Sequence, residues 1–121
     1  METSKRVLGA EHPDTLTSMN NLASTFRNQG RWKEAEELEV QVMETRKRVL
    51  DAEHPDTLTS MNNLAFTWKR QARDKEAIAL MKECVRLRER VLGLDHPLTS
   101  SSRMALNQWG KENLELVSSN V

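Results

Sequence analysis

Glu11-His-Pro-Asp-Thr-Leu-Thr-Ser-Met-Asn-Asn-Leu-Ala23 recurs without change as Glu53 to Ala65, 42 residues further on. Between residues 9–50 and 51–92, 25 of 42 positions are identical. A third copy opens at Asp95-His96-Pro97, has Leu98 where Asp is expected, and keeps Thr99, Leu106 and an apolar Trp109. The period also runs backwards, since Met1–Leu8 matches Met43–Leu50 at seven of eight positions. The chain is therefore expected to begin in the second half of a unit, as a piece of a longer array or as an array with a truncated first unit. A fixed period of this length marks stacked repeats that bury a continuous seam between neighbours.

Each unit reads as two helices. His12-Pro13 sets an extended residue ahead of a proline at the first helical position, and Asp14 and Thr15 favour a helix start. Leu16, Met19, Leu22, Ala23 and Phe26 then share one helical face. Asn28-Gln29-Gly30 ends that helix, with Gly30 suited to the left-handed position after it. A second helix is expected from about Arg31 to Leu50, with Ala35, Leu38, Val42, Val49 and Leu50 apolar. Its acidic residues come early (Glu34, Glu36, Glu37, Glu39) and its basic ones late (Arg46, Lys47, Arg48), which complements the helix dipole. The second unit repeats the plan with Leu58, Met61, Leu64, Ala65 and Trp68, then Ala77, Leu80, Met81, Cys84, Val91 and Leu92. There Ala72 replaces Gly30 at the turn, and Asp74 is expected to cap the following helix. The expected organisation is a partial helix over 1–8, units at 9–50 and 51–92, a degenerate terminal helix over 93–117, and a frayed tail over 118–121.

Composition narrows the function. Eighteen basic residues balance eighteen acidic ones across 121 residues, which removes the electrostatic case for a nucleic-acid or membrane-surface binder. One cysteine, Cys84, excludes an internal disulfide framework and an all-cysteine metal site. No apolar run approaches the ~20 residues that cross a bilayer, and Met1-Glu-Thr-Ser-Lys-Arg lacks an apolar signal core. The expectation is a soluble, reduced, cytoplasmic protein.

The pattern Leu22-Ala23-x-x-Phe26 with Ala35, and Leu64-Ala65-x-x-Trp68 with Ala77, resembles the tetratricopeptide repeat. Gly30-Arg31-Trp32 occupies its usual Gly-x-aromatic turn. The 42-residue unit and the Leu-Gly-x-(Asp/Glu)-His-Pro-Asp-Thr linker resemble the long variant of kinesin light chains. The near-identity of units and the wording Thr-Leu-Thr-Ser-Met-Asn-Asn-Leu-Ala resemble most closely the C-terminal arrays of fungal NOD-like receptor proteins. The resemblance implies an all-α superhelix of stacked antiparallel helix pairs. Departures are Asp74 in place of Trp32, Glu39 at a position usually aromatic, and Arg103, Asn107 and Gly110 where Met19, Ala23 and Phe26 stood. The last set is consistent with a solvent-facing cap.

Sites of chemistry are sparse. His12, His54 and His96 are one period apart, and equivalent residues of a solenoid step along its axis by about 10 Å, too far for one ion with ~2 Å ligand bonds. They read as linker and cap residues. Cys84 lies on the apolar stripe with no His and orienting partner to activate it. Gly110-Lys111 is followed by Glu112 and preceded by Ala105, so no phosphate-binding loop is present. No cofactor, metal or catalytic residue is expected.

The resemblance implies that ligands bind the inner surface lined by first helices. By register that surface carries Thr17, Asn20, Ser24, Arg27 and Asn28, then Thr59, Asn62, Phe66, Lys69 and Arg70, then Met104, Gln108 and Lys111. Asn amides pair with extended backbone, the cations favour an acidic segment, and Phe66 offers an apolar platform. Asn20 and Asn62 have an equally good reading as hydrogen bonds to a neighbouring helix. The expected function is a non-catalytic scaffold holding a peptide or protein segment, as a fragment of a larger receptor or adaptor. The alternative is homo-oligomerisation through uncovered terminal half-units.

Overall fold

The computed structural model describes residues 12–119, with side chains as far as Glu112. The half-unit expected over 1–8 lies outside the described residues. Helices follow as α1 (Pro13–Asn28), α2 (Trp32–Val49), α3 (Pro55–Arg70), α4 (Asp74–Val91) and α5 (Pro97–Ser119). Each packs mainly on the next one in the chain, and no strand occurs among the described residues. This is the expected all-α solenoid of stacked helix pairs. α5 runs past Val117, where the tail was expected to leave the helix; no Gly or Pro stands after Gly110 to stop it.

The repeated His-Pro pair explains the helix starts. His12 and His54 are extended N-caps, with φ/ψ of −68°/139° and −66°/137°. The Nδ1 of His12 accepts from the Asp14 amide at 3.1 Å, that of His54 from Asp56 at 3.0 Å, and that of His96 from Leu98 at 3.1 Å. Imidazole thus does what Ser or Asp usually does at this position, and proline follows where no amide proton is needed.

The helix ends show where backbone is strained. Gly30 and Ala72 are left-handed, at φ 76° and 63°. Around Gly30, Arg31 N donates to Phe26 O at 2.8 Å; around Ala72, Arg73 N donates to Trp68 O at 3.0 Å. Both close their helices in the same way, but Ala72 does so against its Cβ. The same contrast recurs after the second helices, where Gly93 has φ 98° and Asp51 has φ 114°. Asp74 does not cap α4. It is the first helical residue, Arg73 holds the cap position without a side-chain bond, and Asp74 pairs with Lys69 Nζ at 3.4 Å.

Leu16, Met19, Ala23, Ala35, Val42, Leu58, Met61, Leu64, Ala65, Ala77, Met81 and Cys84 are all buried, as the periodicity requires. Val49 and Val91 are instead 46% and 39% exposed, because they sit at helix ends beyond the reach of the next unit. Buried arginines join the units. Arg46 Nη1 crosses from α2 to α3, donating to Ser60 Oγ at 2.9 Å and Asp56 O at 3.3 Å. Arg88 Nη1 repeats this from α4 to α5, reaching Ser102 Oγ at 2.7 Å and Leu98 O at 3.1 Å. Arg46 and Arg88 are therefore inter-unit fasteners as well as complements to the dipole.

The two junctions differ at their centres. In the first, Glu39 is only 2% exposed; its Oε1 accepts from Thr67 Oγ1 and its Oε2 lies 3.5 Å from Arg27 Nε. Glu36 on the same helix accepts from Trp68 Nε1 at 2.8 Å and from Gln71 and Arg73. At the second junction, the positions of Glu39 and Thr67 are taken by Met81 and Trp109, which join one apolar cluster. Beyond it the outward face of α5 carries Ser100, Arg103, Asn107 and Gly110 where α3 carries Leu58, Met61, Ala65 and Trp68, so the last described helix turns a polar side to solvent.

These features set stability. Ala72→Gly should raise unfolding free energy by roughly 1 kcal/mol, by relieving left-handed strain, and Leu64→Ala should lower it by roughly 2–5 kcal/mol as a central truncation; urea melts check both. Burial, opposed by the Thr67 hydrogen bond and the Arg27 charge, pushes the Glu39 carboxyl above its ordinary range. The folded state therefore holds the Glu39 proton more tightly than the unfolded chain does. That contribution is complete below the unfolded value, about 4.3, and is lost as pH rises through the folded one. Glu39→Gln should accordingly be more stable than the parent near neutral pH, with the gap closing as pH falls towards about 4.3. A parent that outlasts the variant at neutral pH would show that the Arg27 pairing outweighs burial.

Candidate functional site

The stacking gathers part of the expected inner surface into one place. Arg27 and Asn28 at the end of α1, Phe66 and Arg70 on α3, and Trp32 at the start of α2 line an open groove of about 320 Å³. Trp32 is there because the Gly30 turn swings the first residue of α2 back beside the end of α1. The Arg70 guanidinium lies 5.2 Å from the centroid of the Trp32 ring. Phe66 forms the other wall and is itself held by Trp109, edge to face at 5.0 Å.

Arg27 is supported from beneath. Its Nη2 donates to Ser24 Oγ at 3.3 Å, and its Nε faces the buried Glu39 Oε2 without a hydrogen bond to any partner. Glu39 is therefore a supporting residue of the groove; the only sign of it in the sequence is an acid at a position usually aromatic. Arg70 differs from the other ring-stacked arginines. Arg31 over Phe26 is paired with Glu34, and Arg73 over Trp68 is paired with Glu36 and Glu76. Arg70 is exposed, and no acidic partner pairs with it among the described residues.

The remaining expected residues do not line this groove. Asn20 Oδ1 accepts from Asn63 Nδ2 at 3.4 Å, and Asn62 Oδ1 accepts from Ser102 Oγ at 2.8 Å. Both link neighbouring first helices. Lys69 is held by Glu112 at 2.9 Å and by Asp74, and chiefly the Glu112 hydrogen bond raises its pKa. Gln108 donates to the same Glu112 at 3.1 Å. Thr17 is exposed and lines a separate small pocket with Pro13, Leu16 and Arg46. Thr59 is half-buried, and Met104 and Lys111 are exposed, all outside the groove. The cationic stripe expected from Arg27, Lys69 and Arg70 is thus cut short at Lys69, by a residue 43 positions away that pattern reading had not paired with it.

Among the described residues no cluster of three or more His, Cys, Asp or Glu could hold a metal. Cys84 donates to Leu58 O at 3.4 Å, and burial pushes its thiol up in pKa, away from the reactive thiolate. No helix among the described residues is long and apolar enough to cross a membrane.

No curated protein matches the chain. Among solved structures it is similar to a candidate kinesin light chain of Podospora anserina with nearly identical tetratricopeptide-like repeats. The TM-score is 0.87 at 28% identity, over 97% of this chain and 56% of that one. A single-substitution form of that protein gives 0.83 at 29% identity, over 98% and 58%. BtubC (BKLC) from P. vanneervenii shares the fold at TM-score 0.83 and 20% identity, over 91% and 44%. The chain therefore spans about half the length of these proteins. The tetratricopeptide repeat profile matches residues 15–56 and 57–98, the expected period with boundaries six residues later than 9–50 and 51–92. The groove at the junction of the first two units is accordingly built on a fold that generally serves as a scaffold for protein–protein interaction, and the chain belongs to the tetratricopeptide repeat family.

Proposed function

We propose that this chain is a non-catalytic scaffold that holds an acidic segment of a partner protein on its concave face. The observation that carries this is the groove between α1 and α3. It sets two guanidiniums, Arg27 and Arg70, beside two aromatic walls, Trp32 and Phe66, with the Asn28 amide at its edge. Guanidinium forks suit carboxylates, aromatic walls suit an apolar side chain next to them, and an exposed amide can pair with extended backbone. Asn20 and Asn62 support the surface by tying the first helices together, and ligand contact falls to the groove residues.

The likeness to longer repeat proteins, and the resemblance of the repeated segment to fungal receptor arrays, support reading the chain as the recognition arm of a larger cytoplasmic receptor or adaptor.

An array of short acidic peptides, each with one aromatic or aliphatic residue, tests the reading. The parent chain should bind a subset, and Arg70→Glu should lose at least roughly tenfold in affinity, about 1.4 kcal/mol, with unchanged helical circular dichroism. Equal capture by parent and variant, or no preference for acidic over neutral peptides, would defeat it.

A further inference from the structure

We infer that the groove takes a phosphorylated side chain of a partner segment, its phosphoryl group bridging Arg27 and Arg70. The inference rests on the preceding reading of the groove as an anion-binding surface and names the anion.

Among the described inner residues, Arg27 and Arg70 are the cations that line the groove, Arg27 with Glu39 beneath its Nε and Arg70 with no acidic partner. On the C-terminal side, Lys69 is already neutralised by Glu112 and Asp74, so the next position along presents a carboxylate beside its ammonium. On the N-terminal side the described inner residues Thr17, Asn20 and Ser24 are uncharged, with Ser24 bound to Arg27 and Asn20 bound to Asn63. A segment with several carboxylates spread along its backbone would bring one of them against Glu112. A segment whose charge sits on a single side chain would not. A phosphate monoester concentrates about −1.5 to −2 charges and three acceptor oxygens on one group.

The two guanidiniums are prepared for such a group. Arg70 Cζ lies over the Trp32 ring, 5.2 Å from its centroid, and its N–H groups have no acidic partner among the described residues, so they are available as donors. Arg27 is held from below by Glu39, with Oε2 of the acid and Nε of the arginine both buried and lacking a hydrogen bond. Its Nη2 is committed to Ser24, which leaves its Nη1 with no partner among the described residues. A carboxylate, with two oxygens and one charge, satisfies one fork well. A phosphoryl group, with three oxygens, can accept from the Arg70 fork and from Arg27 Nη1 at once. The groove, at about 320 Å³, also leaves room for the stem of the side chain against Phe66.

Three small probes at constant ionic strength and near-neutral pH decide the matter by NMR of labelled protein: N-acetyl-phosphoserine amide, N-acetyl-glutamate amide and inorganic phosphate. The phosphoserine probe should shift the side-chain Nε–Hε signals of Arg27 and Arg70 and the Trp32 indole signal. It should do so at concentrations at least roughly fivefold below those needed for the glutamate probe, as a second charge and a third oxygen predict. Arg27→Gln and Arg70→Gln should each abolish the saturable shifts, and Lys82→Gln, which removes an exposed cation of α4 outside the groove, should not. Equal affinity for the glutamate probe would overturn the phosphoryl assignment and leave the acidic-segment reading standing. Binding of inorganic phosphate without the phosphoserine probe would overturn the peptide source. Shifts spread evenly over surface cations, or none at Arg27 and Arg70, would overturn the site itself; joined to a silent acidic peptide array, that result would also remove the reading on which it rests.

Discussion

A helix pair of this kind has apolar residues on more of its surface than it can cover by folding on itself. Leu58, Met61, Leu64 and Ala65 of α3 belong to one cluster with Ala77, Met81 and Cys84 of α4, and Met43 of the preceding unit joins them. Part of that burial belongs to the unit and part to its neighbour, so the units exist as a stack or not at all. Apolar contact alone does not fix how far one pair slides along the next. The buried arginines do. A guanidinium that must place one nitrogen on both a serine hydroxyl and a carbonyl has a single satisfactory position, and moving Arg46 or Arg88 off it would strand a buried cation, a costly state.

Most of the fold was legible because it is written several times over. One copy of His-Pro-Asp-Thr suggests a helix start; repeated copies at a constant interval show which starts are equivalent, and the histidine caps confirm it. What pattern reading missed is what depends on contact between units. Arg46 and Arg88 sit among other late cations, where the helix dipole already accounts for them. Their burial appears only when Ser60 and Ser102 arrive from the next helix. Asp74 looked like a cap on local grounds, and the long side chain of Lys69 claimed it.

The site divides along the same line. Arg27, Asn28, Phe66 and Arg70 lie together because register within a first helix and register between units both bring them to one groove. Both registers can be read from the repeat. Lys69 obeys the same registers and still drops out, because Glu112 of the degenerate third unit neutralises it. A periodic pattern predicts where a side chain points, and the deviations from the pattern decide whether it is free when it gets there.

Those deviations also answer a problem that near-identical units create. Two copies of the same stretch can exchange places, within a chain or between chains, unless their junctions differ. Here the first junction is polar at its centre, with Glu39 against Thr67 and Arg27, and the second is apolar, with Met81 and Trp109 in one cluster. Exchanging the partners would put a buried carboxylate against an indole ring in one junction and leave a threonine hydroxyl facing a thioether in the other. Each mismatch strands a polar group away from water, at about 1–3 kcal/mol or more for a charge. Burial penalises the Glu39 charge, and the place of that charge distinguishes the first junction from the second. The same acid that burial penalises holds Arg27 in the groove, so the residue that marks the correct neighbour also shapes the surface that the two neighbours make together.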